Sequence, residues 1–281
     1  MTRPDLSNWL DPEHNRWSLR NARELLPTGS VIPAHSPRQL GAATENVGAE
    51  TFESNSGTQN ILDFLIASRT DSLTVIKGDN IVWEWRTDGF EENEVHLIFS
   101  VTKSVTSLLA GALVKNCGLD ANADVVTYVP EVAQSAFGNA TVRNLLDMTA
   151  AFSFVEDYSP GPDVRDYRYS VGWYPAPWDA PRLHDFLATR KPDGEHGQRF
   201  RYLSPTTDLL GWVCEKVSGL PYHQALSKFV WQPMGAEHEA NMTLDRSGSP
   251  RAAGGLSVLP RDMARLGMFV RDGGLGAIDN D

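Results

Sequence analysis

The sequence predicts a mixed α/β (α+β) protein in which a small antiparallel strand portion precedes a mostly helical lobe. Three observations carry this. Two short runs, Leu73–Lys77 and Ile81–Arg86, flank Gly78-Asp79-Asn80, the signature of a β-hairpin. From Ser100 the apolar spacing changes to the helical period, with Val105, Leu108, Leu109, Ala112 and Leu113 on one stripe. Beyond Leu119, short helical patterns alternate with loops, and no later segment shows strong strand alternation.

Taken in order, residues 1–56 form a Pro-dotted, irregular lead-in expected to wrap a surface rather than build a domain. Residues 57–95 hold the strand portion, opened by a short helix over Asn60–Arg69. In the second hairpin strand Ile81, Trp83 and Trp85 share one face. Residues 96–281 make the helical lobe. Its first helix starts at Ser100 and stops at Gly118, Thr141 caps Val142–Met148, and Pro181 opens a helix through Arg190. Further helices are expected over Thr206–Ser218, Tyr222–Trp231 and Pro260–Arg271. The three parts are expected to form a single unit. An isolated hairpin cannot shield both its edges, so Trp83 and Trp85 need cover. Either weakly patterned segments complete the sheet or the chain is the front part of a longer protein. The second is the expectation, with C-terminal strands absent.

Composition narrows the function. Lys+Arg 25 against Asp+Glu 36 leaves a formal charge of −11. The Lys and Arg residues are scattered, so neither nucleic acid nor an anionic membrane surface is an expected partner. No run approaches the length of a membrane span, and Met1–Trp17 carries no secretory signal pattern. The two cysteines, Cys117 and Cys214, fall in helical patterns and read as buried thiols of a cytoplasmic protein. The seven histidines show no metal-ligand spacing. No cofactor or metal is expected.

Two motifs can carry chemistry. In Ser100-Val101-Thr102-Lys103 the serine and lysine stand three positions apart at a helix start, on one face. A partly buried lysine near a helix N-terminus loses proton affinity and can accept the serine proton. Leu97-Ile98-Phe99 ahead of the serine is apolar, so this helix starts in the interior. Tyr202-Leu203-Ser204 lies just ahead of a second helix, where a phenol can reach a neighbouring serine and lysine. Each motif alone is equally served by a bland role: Ser100 or Ser204 as a helix cap, Lys103 as a solvated side chain, Tyr202 as a packed loop aromatic.

The pair is more specific. Ser-x-x-Lys, then roughly a hundred mostly helical residues, then Tyr-x-Ser is the layout of the penicillin-recognising serine hydrolases. The chain resembles the 6-aminohexanoate-dimer hydrolases and their class C β-lactamase-like esterase relatives. Further matches are His14-Asn15-Arg16-Trp17, Tyr128-Val129-Pro130-Glu131, Glu156-Asp157-Tyr158, Gly172-Trp173 and Ala253-Gly254-Gly255. The resemblance implies a β-lactamase/D,D-peptidase-like fold, an antiparallel sheet with flanking helices plus a helical lobe. It implies Ser100 as the acylated nucleophile and Lys103 with Tyr202 as the proton-handling pair. Tyr158, Trp173 and Ser204 are implied to contact substrate, Tyr158 by hydrogen-bonding the amide nitrogen. Ser204 stands where most of the wider superfamily has Asn, which points away from β-lactams.

The expected activity is hydrolysis of a small linear amide or carboxylic ester through an acyl-enzyme. Alternatives are a β-lactamase or D,D-peptidase, and an incomplete or non-catalytic chain acting as a binding or scaffold module. A homodimer is left open. The family's third motif and the second oxyanion donor have no source in this sequence; His196-Gly197-Gln198 falls at a turn and does not supply them.

Overall fold

The computed structural model describes residues 3–43, 45–55, 57–157 and 161–274. The elements run α1 (Asn15–Ser18), β1 (Thr28–Val31), β2 (Thr51–Ser54), β3 (Gly57–Asn60), α2 (Ile61–Ala67), β4 (Ser72–Lys77), β5 (Asn80–Arg86), β6 (His96–Leu97) and α3 (Val101–Cys117). They continue as α4 (Val142–Leu146), α5 (Pro162–Ser170), α6 (Leu183–Ala188), α7 (Ser204–Ser218), α8 (Tyr222–Leu226), β7 (Ala240–Thr243), β8 (Leu256–Val258) and α9 (Pro260–Arg271).

The predicted hairpin forms as β4–β5, Lys77 facing Asn80 across the turn, where Gly78 takes φ +63°. Helix α2 is capped by the Asn60 side chain, which accepts from the Leu62 and Asp63 amides. The stripe of α3 is buried at Val105, Leu109, Ala112 and Leu113, and Gly118 ends the helix at φ +72°. Each such side chain removed from water contributes about 1.5–3 kcal/mol. Thr141 caps α4 through a capping box with Asn144. Helix α7 starts two residues earlier than expected, because Pro205 sits in a first turn that needs no N–H donor. The Tyr222–Trp231 helix is split, α8 giving way to a π-helical turn over Ser227–Trp231.

Two expectations are corrected. A four-stranded antiparallel sheet, ordered β1-β7-β8-β6, is built from segments without strand alternation. Strands β7 and β8 are buried at every position, so their sequence never shows the two-residue period. The lead-in is also more than a wrap. It supplies β1, whose Gly29 gives room to the His223 ring where a Cβ would lie 2.5 Å from Nδ1, and it buries Trp9 completely in the core. Cys214 is buried as expected, but Cys117 is only half-buried; both are free.

The hairpin remains a separate two-stranded sheet. The lead-in covers the β5 side: Gly41 N–H donates to Asp79 O, Ile81 N–H to Gly41 O, and Glu45 N–H to Val82 O. Helix α9 packs on β4 and ties to β5 through Arg261 and Glu84, 2.8 Å apart. Ile81 and Trp83 are buried by this packing, and Trp85 is partly covered. Among the described residues the outer edge of β4 has no ladder partner.

Candidate active site

The site gathers where α3 leaves the central sheet. Strand β6 ends at Leu97, and Phe99 adopts the left-handed conformation, φ +42°, which β-carbon-bearing residues seldom occupy. This kink sets Ser100 at the helix start, exposed to a cleft. Ser100 is not a cap: its backbone is helical, and its side chain accepts no amide from the first turn. Its N–H has no hydrogen-bond partner among the described residues.

Lys103 lies one turn into α3, 6% exposed, and its Nζ donates to Ser100 Oγ at 3.0 Å and to Ala253 O at 2.7 Å. Burial lowers its proton affinity and the nearby Arg251 cation lowers it further, against the pull of Asp208 and Glu156, to a pKa of about 8. The face of the Tyr202 ring sits over the ammonium, 4.8 Å from Nζ to the ring centroid. Structure therefore brings Ser100, Lys103 and Tyr202 together. The Tyr202 hydroxyl makes no hydrogen bond among the described residues.

The segment from Arg251 to Leu256, leading into β8, is pinned to α3 by three side chains. Thr102 Oγ1 accepts from Leu256 N–H at 3.3 Å, Lys103 holds Ala253 O, and Thr106 Oγ1 donates to Ala252 O at 2.7 Å. Gly255 allows this close approach, since a Cβ there would meet Thr243 Oγ1 at 2.2 Å. Beneath it lies a buried ionic group that sequence reasoning missed. Asp208 accepts from Arg251 at 2.7 Å, from Ala253 N–H at 2.8 Å, and from the Tyr167 hydroxyl. The Arg251 guanidinium also lies over the rings of Tyr167 (4.6 Å) and Trp173 (5.2 Å). One signal was present. Asp208 is a carboxylate placed directly before the apolar run Leu209–Cys214, one turn after Ser204 on the same face.

The cleft holds about 190 Å³, bounded by Phe99, Phe154, Val164, Val171 and Trp173 with Glu156, Asp157, Arg168, Ser204 and Arg251 among the polar walls. Trp173 lines it but is largely buried, held edge-on by Trp9 at 5.3 Å and by Phe99 at 6.0 Å. Ser204 also lines it, but its hydroxyl and amide both donate to the Glu156 carboxylate rather than to the open cleft. Tyr158 lies outside the described residues. His196 is a loop staple, accepting from Ala151 N–H at 2.9 Å, well suited to the turn where the sequence put it. Among the described residues there is no cluster of metal-ligating side chains and no helix long and apolar enough to cross a membrane.

Fold and site define a hydrolase of the β-lactamase-like kind, with mixed helices and antiparallel sheets. Comparison with known proteins agrees. The β-lactamase family model matches residues 63–279. A 6-aminohexanoate-dimer hydrolase of Paenarthrobacter ureafaciens is 34% identical over 280 residues, covering 97% of this chain and 68% of that protein. The solved structure of a Bacillus anthracis protein, provisionally named a 6-aminohexanoate-dimer hydrolase, superposes with a TM-score of 0.87 at 24% identity, over 97% of this chain and 73% of the other. A class C β-lactamase mutant superposes at 0.57 and 18% identity, over 78% and 65%. The chain belongs to the β-lactamase family, and within it is similar to the 6-aminohexanoate-dimer hydrolase.

Proposed function

We propose that the protein cleaves small linear amides or carboxylic esters through an acyl-enzyme on Ser100. The observation that carries this reading is the 3.0 Å hydrogen bond between a buried Lys103 and an exposed Ser100. With a pKa of about 8, roughly a tenth of Lys103 is neutral at pH 7 and able to accept a proton. Ser100 Oγ attacks the carbonyl carbon while its proton passes to Lys103 Nζ. The tetrahedral oxyanion is met by the free Ser100 N–H. The carbon–nitrogen or carbon–oxygen bond then breaks, and the leaving group takes the proton, with the Tyr202 phenol beside Lys103 as the relay. Water attacks the ester, the proton returns to Ser100, and the free acid departs. Tyr158 and Trp173 are the proposed substrate contacts from the sequence resemblance, and Ser204 orders the wall through Glu156.

Fluorophosphonate labelling with intact-mass analysis tests the nucleophile, expecting one adduct on Ser100. Turnover of p-nitrophenyl acetate, nitrocefin and the 6-aminohexanoate dimer then separates esterase, β-lactamase and linear amidase. Failure to label Ser100, with no turnover, rejects the reading.

A further inference from the structure

One face of α5 lines the cleft: Val164, Tyr167 and Arg168 on the helix and Val171 at its end follow the i, i+3, i+4, i+7 spacing. Arg168 is the charged member. The other charged groups of the wall have internal commitments. Arg251 is neutralised by Asp208, Glu156 is held by the Ser204 amide and hydroxyl, and Asp157 has an interaction of its own. Arg168 has no carboxylate within ion-pair distance among the described residues. It is nonetheless held in place: NH1 donates to the Tyr174 hydroxyl, and the guanidinium carbon lies 5.0 Å from the Tyr174 ring centroid. That ring in turn meets Tyr169 at 6.4 Å.

A guanidinium has five N–H donors in a planar fork that matches a carboxylate with two parallel bonds. Tyr174 takes one of them. An acidic chain of formal charge −11 that turns an unpaired, pre-oriented arginine toward an apolar-walled cleft selects for an anion there. We propose that Arg168 determines specificity by binding a carboxylate of the substrate, so that the preferred amide or ester is one bearing a free carboxylate at a distance from the scissile bond. Glu156 and Asp157 belong to a different segment of the wall and repel an anion, which confines the carboxylate to the α5 side. This inference rests on the hydrolase reading above.

The test compares substrates of equal length that differ only in one charge: p-nitrophenyl hydrogen adipate against p-nitrophenyl methyl adipate, and N-hexanoyl-6-aminohexanoate against its primary amide. The wild-type kcat/KM should favour the carboxylated member of at least one pair by about tenfold or more, the scale of a charge-assisted, bidentate contact. In Arg168→Gln that ratio should fall to within about twofold, and Arg168→Lys should restore part of it. A wild-type ratio near one in both pairs, or an unchanged ratio in Arg168→Gln, overturns the proposal. Calorimetric binding of hexanoate and hexanamide to Ser100→Ala protein keeps the question separate from turnover. Preference for hexanoate that disappears on adding Arg168→Gln supports the assignment even if the hydrolase reading fails. Equal binding of the two removes it even if Ser100 is labelled and esters are cleaved.

Discussion

Lys103 Nζ and Ala253 O lie 2.7 Å apart across 150 positions of sequence, closer than Lys103 lies to Ser100 three positions away. The ammonium is thus oriented by a backbone carbonyl on the far side of the site, and Asp208 holds the same residue through its N–H. Burial and Arg251 favour a neutral lysine, while Asp208 and Glu156 favour a charged one. The proton affinity of Lys103 is set by this opposition.

Replacing Ser100 with Ala should abolish ester hydrolysis and fluorophosphonate labelling while leaving Tm nearly unchanged. The serine makes no capping hydrogen bond, so the usual cost of about 0.5–2 kcal/mol for losing a cap does not apply. A variant that keeps most of its activity would exclude Ser100 as the nucleophile.

Lys103 should give kcat/KM an inflection near pH 8, activity rising as the ammonium deprotonates. Its folded pKa lies below the unfolded value of 10.5, so between about pH 8 and 10.5 the unfolded chain binds the extra proton. Wild-type stability should therefore rise with pH across that window relative to Lys103→Met, by a total of about 3 kcal/mol. Urea denaturation of both proteins at pH 7 and pH 10.5 measures it; a constant difference would mean Lys103 titrates normally.

The Asp208–Arg251 pair should act on the base in opposite directions. Arg251→Met removes a cation that depresses Lys103, moving the inflection to higher pH; Asp208→Asn removes an anion that supports it, moving the inflection lower. Each single change leaves a buried group without its partner and should cost about 3–5 kcal/mol. The double variant should lose clearly less than the two together. Additive losses and unmoved pH profiles would reduce the pair to packing.

Tyr158→Phe should lower amide hydrolysis much more than hydrolysis of an activated ester, since only the amine must be held and protonated as it leaves. Equal losses on an amide and a p-nitrophenyl ester would make Tyr158 a packing residue.

What was legible in the sequence was local. The hairpin showed through Gly78-Asp79-Asn80, α3 through its stripe, and α9 through Pro260 and Gly273, because each signal lies within one element. Ser100 and Lys103 were legible for the same reason, being one helical turn apart. Ala240-Asn241-Met242-Thr243 was not, since a strand buried on both faces has no polar side to alternate with. The group formed by Asp208, Arg251 and Tyr167 depends on contacts 41 to 84 positions apart, which no local pattern encodes. The left-handed Phe99 gave no signal either, because strain of that kind is imposed by what surrounds the residue.

The burial of Trp9 has a practical side. Its indole N–H donates to Trp173 O at 2.9 Å, and the next residue, Leu10, forms part of the cleft wall. Trimming a proline-dotted leader to obtain a tidier recombinant protein would remove the prop behind Trp173 and open that wall to water. A version starting after Pro12 should therefore be judged by its turnover of p-nitrophenyl acetate and the 6-aminohexanoate dimer as well as by its yield, because the lead-in shapes the cleft beside Ser100.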